Sequence, residues 1–497
     1  MGRRAVWMGM LAWAAGICLA ETGGGYTWKL SKYATISGDR LTVSVPKEAA
    51  REGGSARTTL DLRPYAGKCL VGEVVCEGTA ISRPRQSWNG LKFMLHYTDR
   101  NLGTPYWPNT QARLGSFPKQ TITVRCNLED VDAERAEVTL GLQDSSGTVV
   151  FDLSTLRFTK EDPLFPKTNV AYTVTYSERV AKVPQLRGVM LPAQPCTEDD
   201  FKTLRAWGAT LARYQMIRNW GAVNTDQDLE EYGRWLDGKL DHLEQVLVWA
   251  KQYGIKIVVD LHVPPGGRNT AKAMNMFHEK RFADCFLACW RKIATRFKGR
   301  PEIFGFDLIN EPLQTEKAPF DYWNLQRMAA EAVRAIDPVT PIILESNEWD
   351  SAPAYRYLVP LEMENVIYQV HMYIPGEFTH QGVSYPRGEP FPRYRYPDPS
   401  RGWDREHLRR VLAPVRAFQE RYKARIYVGE FSAIAWAEGA DAYIRDCIAL
   451  FNEYGWDWTY HAFREWKGWS VEHEGDSFDT LRPSADNPRK RALLEGF

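Results

Sequence analysis

The chain has 497 residues, 44% hydrophobic and 25% charged, the composition of ordinary soluble globular protein and a length suited to two or three domains. Lys and Arg number 63 against 62 Asp and Glu, a formal net charge of +1, so neither a nucleic acid nor an anionic membrane surface is favoured as a partner. The excess is in rings: 18 Trp, 23 Tyr and 21 Phe, more than a core alone needs and a stock on which flat sugar faces can stack.

Residues 1–20 read as a segment separate from the fold. Arg3 and Arg4 precede an apolar run from Ala5 to Leu19, and Ala20 offers a cleavage residue before Glu21. The run is short for a membrane span and no stop-transfer pattern follows it. The expectation is a signal peptide over 1–20, hence a secreted protein, extracellular or periplasmic, free of the membrane after cleavage. Ile17 before Cys18 speaks against a lipid-attachment site. Cleavage leaves Cys69, Cys76, Cys126, Cys196, Cys285, Cys289 and Cys447, an odd set that cannot all pair. Most are expected as buried small hydrophobes, with a bridge inside the first domain left open. Cys285 and Cys289 have metal-ligand spacing, but no second pair accompanies them.

From 21 to 160 the hydrophobic period is two. Strands are expected at Leu41–Val45, Leu70–Cys76, Leu91–Tyr97, Thr121–Cys126, Val138–Leu142 and Thr148–Leu153, separated by Gly, Pro, Asp and Asn turns. Strands without helices predict a β-sandwich or jelly roll. The run Gly147-Thr148-Val149-Val150-Phe151-Asp152-Leu153 resembles the last strands of galactose-binding-like jelly rolls and of several carbohydrate-binding modules. Trp88, Tyr106 and Trp107 could form a sugar platform or pack the sandwich against its neighbour, and the sequence favours neither.

Pro163, Pro166 and Pro184 mark 161–186 as a linker. From 187 to 497 strands alternate with helices. The strands predicted are Arg187–Leu191, Thr210–Ile217, Lys256–His262, Ile303–Asn310, Pro341–Ser346, Val366–Tyr373, Arg425–Phe431 and Trp458–Arg464. Amphipathic helices are clearest at Tyr232–Tyr253, Phe282–Phe297, Tyr322–Ile336, Arg405–Tyr422 and Ala440–Tyr454, and Thr197 followed by three acids starts another. This order predicts an α/β fold, a (β/α)8 TIM barrel behind the sandwich.

Two of these strands deliver a carboxylic acid at their C-terminal tips, the catalytic end of such a barrel. Ile303-Phe304-Gly305-Phe306-Asp307-Leu308-Ile309 runs into Asn310-Glu311-Pro312, where proline ends the ladder. Arg425-Ile426-Tyr427-Val428-Gly429 runs into Glu430. Paired acids on two strand tips are the minimum for splitting a glycosidic bond with retention, which requires the carboxyls about 5 to 5.5 Å apart.

These motifs resemble glycoside hydrolase family 5, the cellulase family of clan A. The resemblance covers the barrel: Arg187-Gly188-Val189 on the first strand, Arg213 on the second, Asp260-Leu261-His262 on the third, Asn310-Glu311-Pro312 on the fourth, His371-Met372-Tyr373 on the sixth and Gly429-Glu430-Phe431 on the seventh. It implies Glu311 as acid/base, Glu430 as nucleophile, and Arg213, His262, Asn310, His371 and Tyr373 as residues that bind substrate or orient the acids. The chemistry suits the roles: an arginine and a tyrosine hydroxyl keep a nucleophile ionised, and an amide can donate to a sugar 2-hydroxyl. The expected partner is a β-linked polysaccharide or oligosaccharide, with no cofactor and no metal.

At the eighth strand Trp458-Thr459-Tyr460-His461 places a histidine where the family usually carries a tryptophan. His461 is therefore expected to line the site, with Trp466 or Trp469 as a substitute floor. Asn347-Glu348-Trp349 reads as rim. The Pro- and Gly-rich loop 374–403 carries Phe378, Tyr385, Phe391, Tyr394, Tyr396 and Trp403, either as walls of a groove or as packing. Two rival readings remain at this level: a catalytically silent carbohydrate-binding protein, and a metal-dependent hydrolase in which His262, His371 and His461 converge on an ion.

Overall fold

The computed structural model describes residues 19–85, 89–100, 104–110, 113–129, 131–165, 170–193, 195–269, 272–385 and 387–497. Most of the expected signal peptide, Cys18 and Trp88 lie outside these residues. The chain divides into two compact units, Met1–Pro166 with Ser384–Pro386, and Lys167–Val383 with Arg387–Phe497. Among the described residues no helix is long and apolar enough to cross a membrane.

The first unit is a sandwich of two antiparallel sheets, one six-stranded and one five-stranded. All six strands expected from the period-two pattern are present, most of them longer; Thr148–Leu153, for example, lies within Gly147–Glu161. Short strands such as Ala34–Ser37 and Thr104–Tyr106 escape the pattern because so few residues show no alternation. Inward side chains, among them Trp28, Leu41, Phe93, Leu140 and Phe151, make its own core. Tyr106 stacks on Tyr97 and packs against that core, whereas Trp107 lies flat on His96 and stays 37% exposed. The cysteines expected to remain after cleavage are all free, so no bridge closes the sandwich.

The second unit is a closed barrel of eight parallel strands: β1 (Arg187–Met190), β2 (Leu211–Gln215), β3 (Lys256–Asp260), β4 (Ile303–Asp307), β5 (Ile342–Glu345), β6 (Val366–Met372), β7 (Arg425–Phe431) and β8 (Asp457–Tyr460). Gly188 is required on β1, where a Cβ would lie 1.7 Å from the carbonyl oxygen of Leu211. The expected helices form at or within a few residues of their predicted ends. Thr197 and Asp200 close a capping box at the start of theirs.

The stretch read as a linker is largely built into this unit. Tyr176, Val183 and Leu186 plug the lower end of the barrel against Leu211, Val258, Phe304, Ile343, Ile367 and Tyr427. The Tyr176 hydroxyl donates to the carbonyl of Val366, and the Ser177 N–H donates to Asn365. Its prolines suggested an open connection, but the barrel base needs an apolar lid and this segment supplies it.

Side chains alternate along a strand, so positions two residues above the apolar layer also point inward. On four strands those positions are polar: Arg213 above Leu211, Asp260 above Val258, Glu345 above Ile343 and Gln369 above Ile367. The barrel therefore changes from a dry base to a charged layer within one step of the pleat. On β7 the pairing with β6 slips between Val370 and His371, so that Glu430 faces His371. Gly429 is the residue skipped, and a Cβ there would meet the Gln369 side chain at 2.5 Å.

Candidate active site

Asn310 and Glu311 lie just beyond β4, His262 beyond β3, Tyr373 beyond β6 and His461 beyond β8; the strands end earlier than their apolar runs suggest. Glu311 adopts φ of +51°, in the left-handed region that side chains ordinarily avoid. Two buried groups hold it there. Its N–H donates to Glu345 Oε2 at 2.5 Å, and its carbonyl accepts from Arg268 at 2.7 Å. Strain of this kind persists where the surroundings over-determine the backbone.

The guanidinium of Arg213, fully buried, is the hub of the charged layer. It donates to Glu430 Oε1 at 2.7 Å, to Asp307 Oδ2 at 2.8 and 3.0 Å, to Asn310 Oδ1 at 2.9 Å and to Glu345 Oε1 at 3.2 Å, with Asp260 Oδ2 at 3.3 Å. Burial alone would favour discharging it, but the carboxylates of Asp260, Asp307, Glu430 and Glu345 outweigh that and hold it well above its ordinary value.

Glu430 is surrounded by donors. Beyond Arg213 it accepts from the Tyr373 hydroxyl at 2.9 Å, and His461 Nδ1 lies 3.0 Å from its Oε2. Burial favours its neutral form, yet His371, His461 and Arg213 together keep the carboxyl well below the usual range. Glu311 takes a different neighbour: His371 Nδ1 sits 3.0 Å from its Oε1. One oxygen of Glu311, one oxygen of Glu430 and a nitrogen of His371 all lie within 4.8 Å of one another. Asn310 presents its amide nitrogen 3.3 Å from His262 Nε2, while His262 Nδ1 is held by Asp260 at 2.7 Å.

The structure thus brings Arg213, His262, Asn310, Glu311, His371, Tyr373, Glu430 and His461 to one barrel mouth. His461 is clamped between acids, Nδ1 against Glu430 and Tyr373, Nε2 against Glu465. Burial opposes its charge, but Glu465 and Glu430 push it up to about 10, so it is an imidazolium at neutral pH. Trp466 sits one ring further out, packed on Trp469 and Phe478. Trp469 instead lies against the site, stacked on Tyr373 at 5.3 Å and tilted to His461 at 5.0 Å. The rings of the loop mostly pack it down: Phe378 and Tyr396 are buried on Tyr443, Tyr394 meets Trp403, and Phe391 meets Trp436.

Sequence reasoning passed over Asp307, Glu345, Asp350 and Glu465. The first two had a legible signal, an acid inside an otherwise apolar strand, which is tolerated only with a buried partner. Among the described residues two groups place three potential metal ligands together, Glu311, His371 and Glu430, and Glu345, Asp350 and His371. Of the three histidines read as candidate metal ligands only His371 enters them, because His262 and His461 are turned onto Asp260, Asn310, Glu430 and Glu465.

Carboxyls outnumber cations in this layer, and some therefore keep protons. Burial, reinforced by Asp260 and opposed by Arg213, pushes Asp307 up to about 7 from an ordinary 3.8. The folded protein then binds a proton that the unfolded chain releases across that interval. Stability from this group is complete below its unfolded value and is lost as the pH rises through the folded one. Melting temperature should accordingly decline from about pH 4 to about pH 7, and Asp307→Asn should make that decline shallower. An unchanged slope in the variant would place the proton elsewhere.

The sequence model of the cellulase family (glycosyl hydrolase family 5) matches residues 176–466. Endoglucanase C of Acetivibrio thermocellus is 27% identical over 294 residues, covering 53% of this chain and 83% of its own. Cellodextrinase A of Ruminococcus flavefaciens is 25% identical over 264 residues, with 52% and 75% covered. Among solved structures, Thermotoga maritima Cel5A in complex with cellobiose aligns at 23% identity with a TM-score of 0.48, covering 64% of this chain and 99% of that one.

Proposed function

From the premise that the chain belongs to glycoside hydrolase family 5 and is a glycoside hydrolase, we propose that it is secreted and cleaves a β-linked glucan, mannan or related oligosaccharide by double displacement. The observation that carries the mechanism is the approach of Glu311 and Glu430, whose nearest oxygens lie within 4.8 Å of each other. Direct attack needs carboxyls about 5 to 5.5 Å apart, whereas a route through an intervening water needs about 6.5 to 9.5 Å. Relatives named endoglucanase and cellodextrinase support a glucan as substrate.

In this reading Glu430, ionised by Arg213, Tyr373 and His461, attacks the anomeric carbon while Glu311 protonates the departing oxygen. The bond to Glu430 forms as the glycosidic bond breaks. Water then attacks the same carbon, losing its proton to Glu311 and releasing Glu430. His371 orients Glu311, and the Asn310 amide faces the sugar 2-hydroxyl, a contact that strengthens in the transition state. Product analysis on a panel of β-linked polysaccharides tests the substrate, and the anomeric configuration of the first product tests the mechanism. An inverted product rules out double displacement.

All of these groups belong to the barrel unit. We therefore assign catalysis to it, and to the sandwich a contribution to substrate affinity or to interface stability. Removing residues 21–160 should leave turnover of a small aryl β-glycoside within about tenfold, roughly 1.4 kcal/mol in barrier. A folded truncation with no activity would show that the sandwich completes the site.

A further inference from the structure

Resting on the glycosidase reading, we propose that Glu465 is a specificity-determining residue, whose free carboxylate oxygen accepts hydrogen bonds from the hydroxyls of a neutral sugar seated at Glu430. Glu465 lies five residues past the last residue of β8. Its Oε2 is bonded to His461 Nε2, and the opposite nitrogen of that ring faces Glu430 at 3.0 Å and the Tyr373 hydroxyl at 2.6 Å. Glu465 thus stands one imidazole ring and two hydrogen bonds from the Glu430 carboxylate, a span comparable with the breadth of a pyranose.

The other oxygen, Oε1, has no hydrogen bond to any described residue and is not sealed in; the side chain is 13% exposed. Its bond to His461, whose other nitrogen faces Glu430 and Tyr373, ties the residue to the side of the mouth that holds Glu430. His461 keeps it ionised against the effect of burial. An ionised carboxylate oxygen is an acceptor only, and here it has no donor of its own.

The charges nearby are already matched, Glu430 with Arg213 and Glu465 with His461. What the free oxygen of Glu465 lacks is a hydrogen-bond donor, which a neutral hydroxyl supplies. A uronic acid would instead meet Glu465, Glu430 and Glu311 at once. A carboxylate also gives no ring face to stack on, so recognition here is directional and depends on which hydroxyls the sugar presents.

The test is a cycle between residue and substrate. Wild type and Glu465→Gln are compared on 4-nitrophenyl β-glucoside and its 3-, 4- and 6-deoxy analogues; the 2-position is left out because Asn310 serves it. In the amide variant the side-chain oxygen pairs with His461, so an N–H2 faces the sugar where the carboxylate had accepted. In wild type, deleting at least one hydroxyl should lower kcat/KM about 10- to 100-fold, the worth of a hydrogen bond to a charged group. In Glu465→Gln the parent glucoside should fall by a similar factor, and the same deletion should then matter by less than about twofold. Glu465→Asp, which keeps the charge on His461 but shortens the reach, should show the same loss of discrimination and covers the case in which the amide variant does not fold. A common factor across all four substrates would mean that Glu465 acts only through His461, which overturns the inference and leaves the glycosidase reading standing. Wild type inert on every β-glycoside would overturn both.

Discussion

Glu430→Ala should lower turnover of an aryl β-glycoside by about 10⁴- to 10⁶-fold, the loss typical of deleting a nucleophile whose neighbours are built around it. Arg213, Tyr373 and His461 all direct donors at this carboxylate, so its removal leaves three buried donors without their acceptor. It also opens a space at the anomeric carbon, and azide should fill it, restoring activity and giving the α-glycosyl azide. Glu311→Ala should behave differently with a good leaving group. The glycosyl–Glu430 bond still forms, its hydrolysis slows for lack of a base, and azide yields the β-azide. The two variants thus give opposite anomers from one substrate. Exchange of those anomers between the variants would reverse the two roles. Absence of any azide product from both would remove the covalent intermediate.

Arg213→Leu should be the most damaging single change to the fold of the barrel. The guanidinium is the cation shared by Asp260, Asp307, Glu345 and Glu430, all of them buried. Breaking a buried ion pair by removing one partner typically costs about 3 to 5 kcal/mol, because the charge left behind has no solvent. The carboxyls can respond by taking up protons, and Glu430 would then no longer be held as an anion. The expected result is a lower denaturation midpoint, partly relieved at acid pH where the orphaned carboxyls are neutral, together with a loss of activity that acid pH does not relieve because Glu430 must be an anion to attack. Arg213→Lys should recover some stability but little activity, since a single ammonium cannot replace a fork that reaches Asp307 and Glu430 together. A leucine variant as stable as wild type at neutral pH would show that this hub does not hold the charged layer together.

The two acids and their neighbours were legible in the sequence because barrel strands present their tips to one face. Any polar residue ending an apolar strand run is a candidate there, and Glu311 and Glu430 meet that description, whereas Arg213, inside its strand, and His371 follow from the resemblance to the cellulase family. The charged layer below them was harder to read. Asp260, Asp307 and Glu345 appear separately within three apolar runs, and nothing in a linear pattern says that three acids on different strands share one arginine on a fourth. Glu465 left no trace at all: it follows the strand, in a stretch with no period, and gains its meaning only from the His461 nitrogen that it meets. The linker reading shows the converse. Prolines in 161–186 describe a chain that cannot be helix or sheet for long, but they do not say that Tyr176 and Val183 will close the bottom of a barrel.

Local periodicity therefore determined the two architectures, the order of the strands and the acids at their tips, since period two, period 3.6 and a terminating proline are properties of consecutive residues. Closure of the barrel decided the rest. Bringing β2, β3, β4, β5 and β7 around one axis places their inward side chains at a single level, so that Arg213, Asp260, Asp307, Glu345 and Glu430 become one buried network. The slip between β6 and β7 then sets Glu430 beside His371, and His371 in turn meets Glu311. Which residues share a proton, a charge or a substrate depends on distances across the barrel, and those are fixed by strand register and closure rather than by spacing along the chain.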